Sequence, residues 1–353
     1  MNSSIYVSRR NFLSKLGLGL GMTTVGLQGV AQPMASRLVE SPSVPKERQK
    51  FIPVMLTVYK ENGAIDYSGM SRLMDYYLQA GATGFFANCL SSEMYHLSSE
   101  ERIQLTNHVV KHVGGKIPVV ATGSFGENVR SQADFAKKMR DTGVDAVILI
   151  TSHFAEKSES DGRLIQRLDE FLQDTDGIRM GTYECPSPYK RIVTPAIMDF
   201  MVASERFIYH KDTTEDIAQI RAKLDKSKGT DLEIYNAHIG SAAASLQYGG
   251  AGLSPIAGNF YPDIITWMCD HASNPRHRHE VEWLQERLRV AEQKIGKQYQ
   301  LGARYFLSKR GFETPVKCRS TDAPLERAQM QVLDNLLTEV KGWQERLGID
   351  SLW

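Results

Sequence analysis

From Phe51 onward, short apolar runs alternate with longer stretches whose apolar residues recur at helical spacing. The runs at 52–57, 84–87, 118–122, 146–151, 179–183, 207–210, 232–236 and 252–256 have strand length and are bounded by turn-forming or polar residues. The stretches between them predict helices near 67–80, 98–113, 128–142, 161–175, 194–204, 213–224 and 239–248. In 128–142, Val129, Ala133, Ala136 and Met139 share one face, and Arg130, Lys137 and Arg140 are left for water. Ser98 followed by Glu101 reads as a capping box, and Thr194-Pro195 as N-cap and first helical residue. Eight strand–helix repeats predict a TIM (β/α)8 barrel over 51–272. The rival is a doubly wound open sheet, and the missing glycine fingerprint after the first strand argues against it. The tail, 273–353, loses the strand rhythm. It predicts a C-terminal helical extension with helices at 276–296 and 323–346 and an irregular segment around 311–323.

The first 50 residues follow another pattern. Ser8-Arg9-Arg10-Asn11-Phe12-Leu13 is a twin-arginine pattern, followed by the glycine-rich apolar stretch 16–30 and small residues at Gly29-Val30-Ala31. These are the three regions of a Tat-type export signal over 1–31, which implies the Tat machinery as a partner and a periplasmic or exported location. Residues 32–50 read as a polar linker. Leu16-Gly17-Leu18-Gly19-Leu20-Gly21 imitates a nucleotide-binding loop, but no strand precedes it.

Charge changes the picture only by exclusion. Lys and Arg number 42 against 41 Asp and Glu, so the net charge of +1 gives no electrostatic case for nucleic acid or an acidic membrane surface. Cys89, Cys185, Cys269 and Cys318 are widely spaced and form no CxxC motif, which argues against a zinc ribbon or a redox pair and leaves any disulfide pairing open.

The chemistry concentrates at two strand ends. The run at 207–210 delivers Lys211 into a polar turn, and Tyr183 ends the preceding strand. In a TIM barrel both lie at the catalytic mouth. A lysine that loses solvent has a lowered pKa, and a neutral amine condenses with a ketone to a Schiff base. A neighbouring phenol suits the proton transfers. His210 should face the other way by strand alternation, and Glu184 suits a salt bridge outside the barrel. His153 stands at another strand end, as an acid or as a hydrogen-bonding wall residue. His108 and His112 read as a solvated helix face, and His271, His277 and His279 as a charged surface turn.

These motifs resemble the dihydrodipicolinate synthase / N-acetylneuraminate lyase superfamily. The resemblance rests on residues 52–57 with Gly63-Ala64-Ile65-Asp66, on Glu93 with Leu97 and Ser98, and on 118–123. It also rests on Tyr183 with Pro186, on Lys211-Asp212-Thr213-Thr214, on 249–252 and on 259–262. It implies an imine between Lys211 and a 2-keto acid such as pyruvate, with Tyr183 as proton shuttle and an aldehyde as second reactant. No metal or organic cofactor is then needed, and a homodimer or homotetramer is expected. Leu90, Ser91, Ser92, His153 and Gly252 are the expected substrate contacts.

The family's glycine-rich hydroxyl loop reads here Cys89-Leu90-Ser91-Ser92-Glu93. Its Thr-Pro-Tyr-Tyr reads Thr151-Ser152-His153-Phe154, so the relay tyrosine is Phe154. Pro188 stands where the synthases carry a carboxylate-binding arginine, with Lys190 and Arg191 the nearest cations. The expectation is therefore a Schiff-base lyase or aldolase acting on a keto acid or sugar acid. The alternatives are a condensing synthase or dehydratase of the same superfamily and a non-catalytic periplasmic binding barrel.

Overall fold

In the computed structural model, which describes residues 48–296, 298–350 and 352, the apolar runs become eight parallel strands. They are β1 (Lys50–Phe51), β2 (Phe85–Ala87), β3 (Val119–Thr122), β4 (Ala146–Ile150), β5 (Met180–Tyr183), β6 (Phe207–Asp212), β7 (Glu233–Asn236) and β8 (Gly252–Leu253). The expected export signal over 1–31 and most of the expected linker lie outside the described residues. From β2 to β8 each strand pairs with the next in sequence, and β1 pairs with β8. The ring closes where Val54 bridges Phe86, through Phe86 N–H to Pro53 O (3.0 Å) and Met55 N–H to Phe86 O (3.1 Å). Pro53 has no N–H to give, so the first run forms a shorter regular strand than its apolar length predicts.

Eight helices alternate with the strands: α1 (Tyr67–Gln79), α2 (Ser99–Val113), α3 (Val129–Arg140), α4 (Asp161–Asp174), α5 (Pro195–Ala203), α6 (Ile217–Ser227), α7 (Ala242–Gln247) and α8 (Pro262–His271). Ser98 and Glu101 form the expected capping box on α2. Thr194 precedes Pro195 at the start of α5, but its hydroxyl donates to Asp161 rather than capping the helix. The turn after Lys211 is longer than the pattern suggested. Residues 213–216 are irregular, and α6 starts only where the Asp216 carboxylate accepts the Ala218 and Gln219 amides.

The extension holds α9 (Arg278–Ile295), α10 (Tyr299–Lys309) and α11 (Arg327–Leu347). Two helices were not legible in the pattern. In α8 every residue from Pro262 to Cys269 is buried, so no polar face marks its period. In α10 the inward side includes Gly302 and the fully buried Arg304, which breaks the apolar stripe.

Strand alternation divides the core in two. Val54, Phe86, Val120, Ile148, Ile150, Tyr183, Tyr209 and Tyr235 fill the barrel, and a larger apolar shell packs between strands and helices. The filling directly under the mouth is aromatic. Phe86 meets Tyr183 and Tyr209 edge-on at 5.6 and 6.0 Å, and Tyr209 stacks on Tyr235 at 4.7 Å. All four cysteines are buried free thiols.

Candidate active site

A register shift brings the two strand ends together. Met180 pairs with Phe207, but Gly181 pairs with Tyr209, so β6 carries one extra residue at Ile208. Beyond the bulge Tyr183 is the direct partner of Lys211. The bulge also reverses which residues face inward. Phe207 belongs to the outer shell, whereas Tyr209 belongs to the barrel interior. Gly181 permits the close approach, because a Cβ there would lie 2.4 Å from Ile148 and 2.9 Å from Tyr209.

Lys211 is 3% exposed, and its Nζ lies 4.5 Å from the Tyr183 ring centroid and 5.9 Å from that of Phe86. No carboxylate among the described residues pairs with it. Burial therefore dominates and pulls its pKa down to about 8, against a smaller opposing effect of the Cys89 and Cys185 thiols. A fall from 10.5 to about 8 multiplies the neutral fraction at pH 7 by roughly 300. Burial likewise holds the Tyr183 phenol protonated, well above the usual tyrosine range.

The other face of the same strand ends is ionic. His210 points out of the barrel, as alternation required, and its Nδ1 lies 2.8 Å from Thr182 Oγ1. Glu184, Asp212 and His210 converge in a cluster whose donor atoms would suit a metal ion. The Lys223 ammonium from α6 holds that position, 2.5 Å from Glu184 and 2.6 Å from Asp212. Burial opposes ionisation of Glu184, but His210 and Lys223 hold it below the usual carboxylate range. Glu184 also accepts the Thr213 and Val193 amides, both at 2.7 Å. The turn behind Lys211 is thus clamped from outside the barrel.

At the mouth a cavity of about 220 Å³ is lined by Lys211, Tyr183, Leu90, Lys190, His238 and Tyr299, among others. Lys190 pairs with Glu215 at 3.0 Å, whereas Arg191 turns away to Asp161 and the carbonyls of Glu156 and Glu159. His238 sits 3.2 Å from Glu292 of α9, a contact that raises its pKa.

Three expected contacts are placed elsewhere. The Ser92 hydroxyl is turned inward, donating to Met55 O at 2.7 Å and accepting from Cys89 N–H, so it fastens the loop. Gly252 lies where β8 crosses β1, and a Cβ would stand 1.9 Å from Lys50 O, so its role is close packing. His153 lies outside the cavity lining, bonded to Tyr95 and Ser124. The Ser91 hydroxyl lies 3.2 Å from the hydroxyl of Tyr299, which lines the cavity.

Tyr299 is the residue the sequence did not announce. It enters from α10, in an extension docked by ion pairs rather than by strand rhythm. The buried Glu93 carboxylate takes Arg304 at 2.7 Å and the Arg319 and Ser320 amides at 2.6 and 2.8 Å. Glu93 was visible as a motif residue; its partners some two hundred residues away were not.

Residues 47–340 match the model of the dihydrodipicolinate synthetase family. YagE of Escherichia coli (strain K12), whose name proposes a 2-dehydro-3-deoxy-D-gluconate aldolase, is 27% identical over 219 residues, 60% of this chain and 70% of YagE. The 4-hydroxy-tetrahydrodipicolinate synthase of Shewanella piezotolerans is 26% identical over 222 residues, 63% of this chain and 74% of the synthase. The crystal structure of YagE in complex with pyruvate superposes with a TM-score of 0.73 at 20% identity, covering 83% of this chain and 98% of YagE. Dihydrodipicolinate synthase DapA-2 of Bacillus anthracis gives 0.72 at 21% identity, covering 83% of this chain and 98% of the synthase. With the barrel, the ordered motifs and a family match spanning most of its length, this chain belongs to the dihydrodipicolinate synthetase family.

Proposed function

We propose that this protein is a Schiff-base-forming enzyme of the lyase or condensing type, with Lys211 as nucleophile and a short 2-keto acid of the pyruvate kind as substrate. The observation that carries the reading is the register pairing of Tyr183 with a desolvated, carboxylate-free Lys211. The neutral amine attacks the keto carbon. Tyr183, kept protonated by burial, gives its proton to the departing oxygen, and water leaves. The resulting iminium draws electrons from the adjacent carbon, so a carbanion there is held as an enamine. That enamine either results from cleavage of an aldol or adds to an aldehyde. The names of its relatives, a proposed aldolase and a synthase, support both directions. The chemistry calls for no metal or organic cofactor, and the twin-arginine pattern supports action outside the cytoplasm.

The keto-acid carboxylate would lie against the Cys89–Glu93 loop. The Ser92 and Glu93 amides are consumed by the turn, donating to Cys89 O and Leu90 O. The Leu90 and Ser91 amides have no acceptor among the described residues, and the Ser91 hydroxyl stands beside them. Tyr299 would orient that hydroxyl. Tyr299→Phe is expected to raise the keto-acid KM about fivefold, which corresponds to about 1 kcal/mol for one hydrogen bond, with a small effect on kcat. Steady-state kinetics with the preferred keto acid checks this split.

The pH profile tests the amine directly. Adduct formation with pyruvate, read by cyanoborohydride trapping, should accelerate as pH rises through about 8 and then level off, since deprotonation creates the nucleophile. A midpoint left near 10.5 contradicts the desolvated amine.

The reading as a whole is tested by incubating the protein with borohydride and a panel of 2-keto acids and sugar acids. A reduced covalent adduct is expected with at least one keto acid, and Tyr183→Phe should slow its formation about 10²-fold or more. Tight binding without any adduct would instead favour a non-catalytic binding barrel.

A further inference from the structure

The mouth cavity carries four charged side chains that imine formation leaves unused. Lys190, Glu215, His238 and Glu292 line it together with Lys211 and Tyr183. They come from separate places in the chain: the loop after β5, the turn after β6, the end of β7 and helix α9. They meet as two ion pairs, Lys190 with Glu215 at 3.0 Å and His238 with Glu292 at 3.2 Å.

The backbone holds both pairs at the cavity. Glu215 sits at φ +70°, a left-handed conformation that strains a residue with a Cβ. Its partner Lys190 is exposed, and an exposed ion pair adds too little stability to offset that strain. What the strained turn achieves is the placement of a carboxylate on the cavity wall. Glu292 accepts the Ile239 and Gly240 amides at 3.3 and 3.1 Å besides its contact with His238. Gly240 leaves room for the pair, because a Cβ there would stand 2.8 Å from the His238 ring and 3.2 Å from Glu292 Oε2. The Ser241 hydroxyl lies 3.0 Å from His238 Nδ1 and fixes the ring from its other side.

The four groups are close to balanced in charge and mixed in hydrogen-bonding type. An ammonium has three donors, and among the described residues Lys190 spends one of them, on Glu215. A carboxylate has about four lone-pair sites, so acceptor sites remain on Glu215, which takes Lys190 alone, and on Glu292. Glu292 raises the His238 pKa, which brings the set towards zero net charge. A hydroxyl both donates and accepts, so a chain of hydroxyls matches the free lysine donors and carboxylate sites together. An anionic tail would face two carboxylates. An apolar tail would displace water from the same groups and replace none of its hydrogen bonds. We propose that Lys190, Glu215, His238 and Glu292 form the subsite for the second reactant and select a short, uncharged polyhydroxy aldehyde, with His238 as the residue that positions Glu292. This rests on the imine chemistry proposed above. It also gives the C-terminal extension a part in specificity, since Glu292 belongs to α9.

The test uses the full-length protein with pyruvate and four aldehydes. These are D- and L-glyceraldehyde, propionaldehyde, which has the same carbon chain without hydroxyls, and succinic semialdehyde, which adds a carboxylate. Product formation gives kcat/KM for each, and borohydride trapping of the pyruvate adduct is run beside it. One glyceraldehyde enantiomer should exceed propionaldehyde by about 10²-fold, and succinic semialdehyde by about tenfold or more. Glu215→Gln and Glu292→Gln should each narrow the glyceraldehyde-to-propionaldehyde ratio about tenfold, chiefly through the glyceraldehyde KM, and raise the relative rate with succinic semialdehyde. The pyruvate adduct should still be trapped in both variants. A purely structural role for the two carboxylates would lower all aldehydes alike, and that result overturns the subsite. So does wild-type protein that uses propionaldehyde or succinic semialdehyde as well as glyceraldehyde, or that traps pyruvate and turns over none of the four. Each of these leaves the imine standing. Wild-type protein that forms no adduct with pyruvate or any other keto acid overturns the imine and the subsite with it.

Discussion

Lys211→Met is expected to lower turnover by about 10⁴-fold or more and, at the same time, to make the folded protein more stable. The two effects share one cause. The ammonium is buried beside the Tyr183 and Phe86 rings and has no carboxylate partner among the described residues. A lysine whose pKa falls from 10.5 to about 8 on folding costs the folded state about 3 kcal/mol at neutral pH. The sign follows from proton linkage. The folded state binds that proton less tightly than the unfolded state, so the penalty is full below about 8, fades as pH rises to 10.5, and is absent above. Methionine has a similar length and no charge to desolvate. Denaturation at pH 7 should therefore show a more stable variant, and the advantage should shrink at pH 10.5. A variant that loses activity by losing its fold would contradict this account of the site.

The opposite result is expected one layer out. Lys223→Met should destabilise the protein by about 3–5 kcal/mol, because it strands Glu184 and Asp212 as buried carboxylates. The loss is greatest at neutral pH, where both carboxylates are ionised, and shrinks as acid protonates them, whereas the wild type loses the stability that Glu184 contributes only as pH falls from about 4.5 towards about 2. Urea denaturation of both proteins from pH 7 down to about pH 2 checks the sign. Activity should fall as well, since Glu184 also holds the Thr213 and Val193 amides behind the Lys211 strand end.

The barrel was legible because its signal is periodic. Apolar strand runs and amphipathic helices repeat in order, and every predicted strand position has its counterpart in the ring. Lys211 and Tyr183 were legible because strand ends face the mouth in this fold. What stayed hidden depends on contacts that no local window contains. The bulge at Ile208 sets which face Lys211 occupies, and nothing around Phe207 announces it. Ser92 looked like a substrate ligand because its type and loop fit, but the loop turns its hydroxyl onto Met55. Gly252 looked functional, yet the β1–β8 contact needs a residue without a side chain. His153 stood at a strand end as expected, but its ring meets Tyr95 and Ser124 instead of the cavity. Tyr299 was invisible because α10 lacks a clean apolar stripe and docks through the buried Glu93–Arg304 pair.

Phe154 shows how the surroundings of the site have shifted. It packs edge-on against Phe171 at 5.2 Å in the outer shell and offers no hydroxyl. Phenols from two other elements, Tyr95 and Tyr299, stand close to the strand ends instead.

The central claim is that Lys211 forms an imine with a keto acid. It is tested most directly by reducing the wild-type protein with borohydride in the presence of pyruvate and locating the adduct by peptide mass spectrometry. The account predicts one reduced keto acid per chain, on the peptide that carries Lys211, and none in Lys211→Met. An adduct spread over surface lysines, or the same yield from the Met variant, would contradict it.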